Sequence, residues 1–155
     1  MVRVTRTEVD LPLARAMVAA ALSAATGQGA LVSAAVVDAG GHLVAFERMD
    51  GAEIAGPLLA PDKAFTAVAH RIGTHELTAL VAPGGPLAGM SSAAGGRYVC
   101  FPGGLPLWSG DRVVGGVGVS GGTAEQDLAA ASAAAAVFDA LEPDVPGGTV
   151  GGQVW

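Results

Sequence analysis

Hydrophobic and polar positions along the chain follow two periods, one of helices and one of strands. Leu13, Met17 and Leu22 recur at helical spacing, with Asp10 placed to cap the segment and Pro12 tolerated in its first turn. Gly27 and Gly29 end it. The β-rich run Val32–Val37 comes next, then Asp38-Ala39-Gly40-Gly41, then His42–Met49 running back, which predicts an antiparallel hairpin. Along the return strand Leu43, Ala45 and Glu47 share one face, and His42, Val44, Phe46 and Arg48 share the other. Asp50–Pro61 carries two prolines and two glycines and reads as loop or broken helix. A helix follows from about Asp62 to Ile72, with Phe65, Val68, Ala69 and Ile72 as its core face, and Gly73 stops it.

Thr74 is placed to cap a short helix through about Val81, which Pro83 terminates. Ala82–Gly96 is a Gly, Pro and Ser-rich loop, of a length that in a small domain is usually functional or mobile. Arg97–Phe101, Leu105–Trp108 and Arg112–Ser120 read as three more strands. Thr123, with Gln126 in capping-box position, opens a last helix through Leu141, and its alanines from Ala129 to Ala136 allow close approach of a neighbour. The expected fold is therefore α+β: a roughly five-stranded antiparallel sheet flanked by helices, without βαβ alternation. Residues 1–142 make a single domain, and 143–155 a Gly/Pro-rich tail ending in Trp155.

Composition narrows the function classes. Hydrophobic residues make up 51% of the chain and charged residues 14%, so a single packed core is expected, with part of the apolar surface covered by further subunits. A formal charge of −6 argues against nucleic-acid binding. The lone Cys100 excludes an internal disulfide and a cysteine-rich metal knot. No apolar run reaches the length of a membrane span. Near the N-terminus Arg15, Glu8 and Asp10 interrupt what could otherwise pass for an export signal, so the chain as given reads as a cytoplasmic protein with no membrane partner.

Two glycine patterns overlap and neither carries its usual chemistry. Gly116-Val117-Gly118-Val119-Ser120-Gly121 fits G-x-G-x-x-G, but the helix after it runs into Pro143 rather than a second strand with a ribose-binding acid. Gly118-Val119-Ser120-Gly121-Gly122 fits G-x-S-x-G, yet His42, His70 and His75 all precede that serine, whereas the α/β-hydrolase order needs a histidine after it. The plainer reading is a strand that passes close to a neighbour and turns into a helix. His75-Glu76 lacks the second histidine of a zincin, and a zinc site from His70, His75 and Cys100 would have to be assembled across loops, so no metal is assigned.

One constellation is more informative. Lys63 and His70 are seven residues apart, which returns them to within about 20° around a helix. With Thr66 between them they form a polar face opposite Phe65 and Ile72, suited either to plain solvation or to a carboxylate or propionate. Arg48, Asp50 and Glu53, just before that helix, complete a candidate polar pocket.

Four blocks then carry a family likeness. Val36-Val37-Asp38-Ala39-Gly40-Gly41-His42-Leu43 with Arg48-Met49-Asp50-Gly51-Ala52 resembles the opening signature of the GlcG-like, haem-degrading-type family. Lys63-Ala64-Phe65-Thr66-Ala67 resembles its K-A-x-T-A helix, Phe101-Pro102-Gly103-Gly104-Leu105-Pro106-Leu107 its G-G-x-P turn, and Val113–Gly121 with Glu125-Gln126-Asp127 its strand-to-helix close. The blocks keep the family's order and span about residues 30–130. The resemblance implies a helix-flanked antiparallel sheet in a profilin- or PAS-like layer arrangement, and homo-oligomers from dimers up to octamers. It also implies haem as cofactor or ligand in some members, and small-acid catabolism or corrinoid-related roles in others. Some haem-binding relatives use a histidine in the N-terminal helix region, and Thr7–Gly29 contains none, so the axial donor here would be His42, His70, His75, Met90, Tyr98 or Cys100. The leading expectation is an oligomeric binder of haem or another anionic small molecule. Arg48, Asp50, Lys63, Thr66 and His70 would then face the ligand, and Glu125 or Asp127 would order the strand-to-helix junction. Its rival is an enzyme on a small polar metabolite, with Lys63 or His70 as acid/base and Glu53 or Asp50 as partner carboxylate.

Overall fold

The computed structural model describes residues 3–141; the expected tail and Trp155 lie outside the described residues. In chain order the elements are α1 (Leu11–Gly27), β1 (Ser33–Asp38), β2 (Leu43–Arg48), α2 (Gly56–His70), α3 (Thr74–Val81), β3 (Gly104–Ser109), β4 (Arg112–Ser120) and α4 (Ala124–Leu141). Two 3-10 turns, Met90–Ser92 and Ala94–Gly96, stand in the loop before β3. The four strands form one antiparallel sheet in the order β2-β1-β4-β3.

Asp10 caps α1 by accepting the Leu13 N–H at 2.9 Å. Thr123 and Gln126 form the capping box of α4: the threonine hydroxyl accepts the Gln126 N–H, and the Gln126 side chain accepts the Thr123 N–H. α1 and α4 pack together on one face of the sheet, where Ala14, Met17, Val18, Ala130, Ala134 and Phe138 meet Ala34, Val36, Val117 and Val119. α2 covers the other face. The period of two along β4 divides these jobs: Val117 and Val119 belong to the core with α1 and α4, while Gly116 and Gly118 lie under α2. A Cβ at Gly118 would overlap the Ala60 carbonyl oxygen, and one at Gly116 would stand 2.8 Å from that of Ala64. These glycines let the α2 backbone rest on the sheet.

Four expectations are corrected. The sheet has four strands, not five, because Arg97–Phe101 spends its backbone groups elsewhere. The Val99 N–H donates to the Thr66 hydroxyl at 3.0 Å, and the Cys100 carbonyl accepts from the Thr78 hydroxyl at 3.0 Å, so side chains of α2 and α3 replace a ladder. α2 begins at Gly56 rather than near Asp62, with Pro57 in its first turn and Pro61 within it; the close seating of Gly56 and Ala60 holds the turn that Pro61 deprives of a donor. Its buried face is also the reverse of the expected one: Ala60, Lys63, Ala64, Thr66 and Ala67 are buried, while Phe65 and Val68 are only partly so and Ala69 is exposed. Thr74, expected as a cap, instead lies inside α3, where its hydroxyl accepts the Gly104 N–H at 2.9 Å and Glu76 ties the Gly73 N–H.

Candidate functional site

Three of the four signature blocks, those of α2, of the turn into β3 and of the β4–α4 junction, converge on one buried ion pair. Lys63, wholly buried, extends from α2 across the end of β4 and donates to Asp127 Oδ2 at 2.8 Å and to the Val119 carbonyl at 2.9 Å. The other carboxylate oxygen of Asp127 accepts the Gly122 N–H at 2.8 Å, so this one side chain both neutralises the lysine and fixes the turn into α4. Phe101 lies beneath the ammonium, 4.8 Å from ring centre to Nζ. Gly103, at φ +125°, leaves the space in which the pair meets: a Cβ there would stand 2.9 Å from Lys63 Nζ and 3.1 Å from the Asp127 Cβ. Burial pushes the Lys63 amine below its ordinary value, while the Asp127 hydrogen bond and charge, and more distantly Glu53, hold its proton. An ammonium enclosed in this way has no face open to a substrate, so acid–base work by Lys63 would require the pair to part.

The remaining candidate residues do not gather into one pocket. Arg48 and Asp50 are exposed at the end of β2 and in the next turn, and Glu125 is exposed in the first turn of α4. Glu53 borders a shallow cleft of about 600 Å³ with Leu31, Gly51, Gly121, Thr123 and Gln126. Thr66 donates to the Asp62 carbonyl at 2.6 Å and accepts from Val99, which commits its hydroxyl to the backbone.

His70 is different. Its Nε2 is buried without a hydrogen-bond partner, and its ring meets the edge of Tyr98 at 4.6 Å between centroids. Tyr98 stacks in turn on Phe65 at 6.0 Å, and the Arg97 guanidinium, paired with Asp62 at 2.9 Å, covers the Phe65 ring at 3.6 Å. His42 is exposed in the hairpin turn, hydrogen-bonded to Asp38 at 3.1 Å, and His75 is exposed in α3. Cys100 is buried.

Burial lowers the His70 pKa from 6.5. The unfolded chain then binds a proton that the folded one refuses, so the stability this residue contributes is full above about pH 6.5 and is lost as the pH falls toward the folded value. Urea unfolding between about pH 8 and 5 should show that decline, and His70→Phe should remove His70's share of the slope; an unchanged slope in the variant would refute the assignment.

A second cleft, of about 460 Å³, lies between the N-terminal segment, the turns of both hairpins and the end of α2, and three arginines line it: Arg6, Arg71 and Arg112. Sequence reading missed this group. Its members stand far apart in the chain and in no motif, and the one local signal is Arg71 at the end of a helix, in the left-handed conformation (φ 59°, ψ 29°) where glycine is usual.

Among the described residues no helix is long and apolar enough to cross a membrane, and no cluster of His, Cys, Asp or Glu could hold a metal ion.

Known proteins agree with this architecture. The model of a family described as haem degrading protein HbpS-like matches residues 9–136. The corrinoid adenosyltransferase PduO of Citrobacter freundii is 44% identical over 104 residues, 67% of this chain, although the match spans only 31% of that longer protein. Among solved structures, the ORFY protein of Klebsiella pneumoniae superposes with a TM-score of 0.87 at 38% identity, covering 92% of this chain and 99% of that one. The PduOC:haem complex superposes with a TM-score of 0.81 at 37% identity, covering 84% of this chain and 95% of that one.

Proposed function

The chain belongs to the HbpS-like family, and from that premise we propose that it is a small-molecule-binding protein whose ligand is haem or a similar planar anion, held on the flank of α2 around His70. The relative found in complex with haem supports the ligand class, and the orphaned Nε2 of His70 supports the place. No histidine lies in Thr7–Gly29, so a histidine donor would come from elsewhere in this chain. A desolvated imidazole kept neutral has a free nitrogen lone pair, the form in which histidine ligates iron. Phe65 and Tyr98 supply aromatic surface, and Arg97, bonded to Asp62 through Nε, has terminal N–H groups that would reach a propionate beside that pair. Tyr98 covers His70 at the end of the Gly, Pro and Ser-rich loop, so entry requires that ring to swing aside. Bound haem would supply a redox-active iron; His70 would hold it, and the ring stack would keep water away.

Homo-oligomers, from dimers up to octamers, are part of this reading. Ile54, at 88% exposure, and the exposed Leu43 and Leu58 are apolar surface that a subunit contact would cover. The test is a haemin titration followed in the Soret region, with size-exclusion chromatography on the same sample. A saturable, stoichiometric shift is expected, together with its loss or a changed spectrum in His70→Phe. Absence of a saturable complex would overturn the haem reading, and an unchanged spectrum in the variant would remove His70 as donor.

A further inference from the structure

We propose that the arginine-lined cleft is a second ligand site, adjoining the His70 flank at Phe65 but with its own charged lining, for a small organic anion bearing a carboxylate or phosphate group. The chain has eight basic residues and a net charge of −6, yet Arg6, Arg71 and Arg112 line one cleft with Asp111 as the single acid among its lining residues. Among the described residues these three guanidinium groups have no hydrogen bond or ion pair, whereas Lys63 and Arg97 are both paired with carboxylates. The three residues are exposed and line the same cleft, and the planar fork of a guanidinium matches the two oxygens of a carboxylate or phosphate.

The rest of the cleft fits a small body behind that charged group. Phe65, Val68 and Val113 give it an apolar side, and about 460 Å³ is the room of a metabolite-sized pocket. Gly41, in the left-handed region at φ +80°, lets the β1–β2 turn lie against Phe65, whose ring a side chain at that position would strike. Arg71 occupies a backbone conformation that costs a branched or long side chain energy and glycine none, and such strain collects where a side chain has a task. The lining holds no histidine, cysteine, methionine or tyrosine, so this site offers anion recognition and no donor for a haem iron.

Isothermal titration of the full chain with inorganic phosphate, and separately with succinate, tests the site and distinguishes the two head groups. One of them should bind saturably, more weakly as salt rises. Affinity should fall at least about tenfold in Arg71→Ala and in Arg112→Ala, and stay unchanged in Arg15→Ala on the exposed side of α1. Arg71→Gly separates a binding role from a structural one: it should raise thermal stability by relieving the left-handed residue while still losing the anion. No saturable binding of either anion, or equal losses in Arg15→Ala, would overturn the proposal. A haemin titration of Arg71→Ala/Arg112→Ala completes the test. Unchanged haemin binding supports two separate sites, and its loss would merge the cleft with the haem site and end the claim of a second one.

Discussion

Lys63→Ala and Asp127→Ala should each lower the free energy of unfolding by about 3–5 kcal/mol, since either leaves its partner buried and uncompensated. For a chain of this size that is a fall in Tm on the order of 10 °C. The double variant Lys63→Met/Asp127→Leu should recover most of the loss, because two apolar side chains of similar volume avoid the desolvation that the charges suffer. Recovery should stop short of the parent, as the Val119 carbonyl loses its lysine donor and the Gly122 N–H its acceptor. Urea unfolding of the four proteins measures the loss in each single variant and the recovery in the double. Single variants within about 1 kcal/mol of the parent would show that the pair opens to water and so stands ready for a substrate. The size of the loss therefore tells whether Lys63 is scaffold, as its enclosure with Asp127 implies, or is open to the ligand contact or acid–base role expected from the sequence.

How far this arrangement could be read from the sequence depends on the range of the contacts involved. The Asp10 cap, the Asp38–Gly41 hairpin turn and the Thr123–Gln126 box are settled within four residues of chain, and all three stand where their residue types place them. The seven-residue spacing of Lys63 and His70 returns both to one side of α2, and of Glu125 and Asp127, the two residues the sequence offers for the α4 junction, it is Asp127 whose carboxylate accepts the Gly122 N–H while Glu125 is exposed. Which side of α2 is buried was not legible. Hydrophobic periodicity favours Phe65, Val68 and Ile72, but the sheet presents glycines to this helix, and bare backbone accepts Ala60, Ala64 and Ala67 rather than bulky groups. The lysine on that small-residue face is then enclosed and needs a carboxylate, which comes from a residue 64 positions away. Arg97–Phe101 has the composition of a strand and fails to become one because Thr66 and Thr78 reach its backbone first, a competition that only the packed fold reveals. The arginine cleft was hidden for the same reason, since four separate segments build it.

The glycines under α2 make the second large prediction. In Gly118→Ala the new Cβ would meet the Ala60 carbonyl and stand 2.7 Å from the Ala64 amide nitrogen, and both are main-chain atoms that no rotamer change can move. α2 would have to lift from β4 or β4 from its neighbours. Overpacking of this kind costs about 1–3 kcal/mol, and contact with backbone puts this case at the upper end. Gly27→Ala, where nothing lies within 4 Å of the built Cβ, is the control and should change little. The effect also travels: α2 carries Lys63 toward Asp127 at one place and His70 toward Tyr98 at another, so lifting the helix loosens the ion pair and uncovers the orphaned nitrogen together. Calorimetry should therefore show a lowered Tm for Gly118→Ala and none for Gly27→Ala. A Gly118→Ala protein as stable as the parent would mean that helix and sheet are not in backbone contact, and the explanation of the G-V-G-V-S-G run as a helix seat would fall with it.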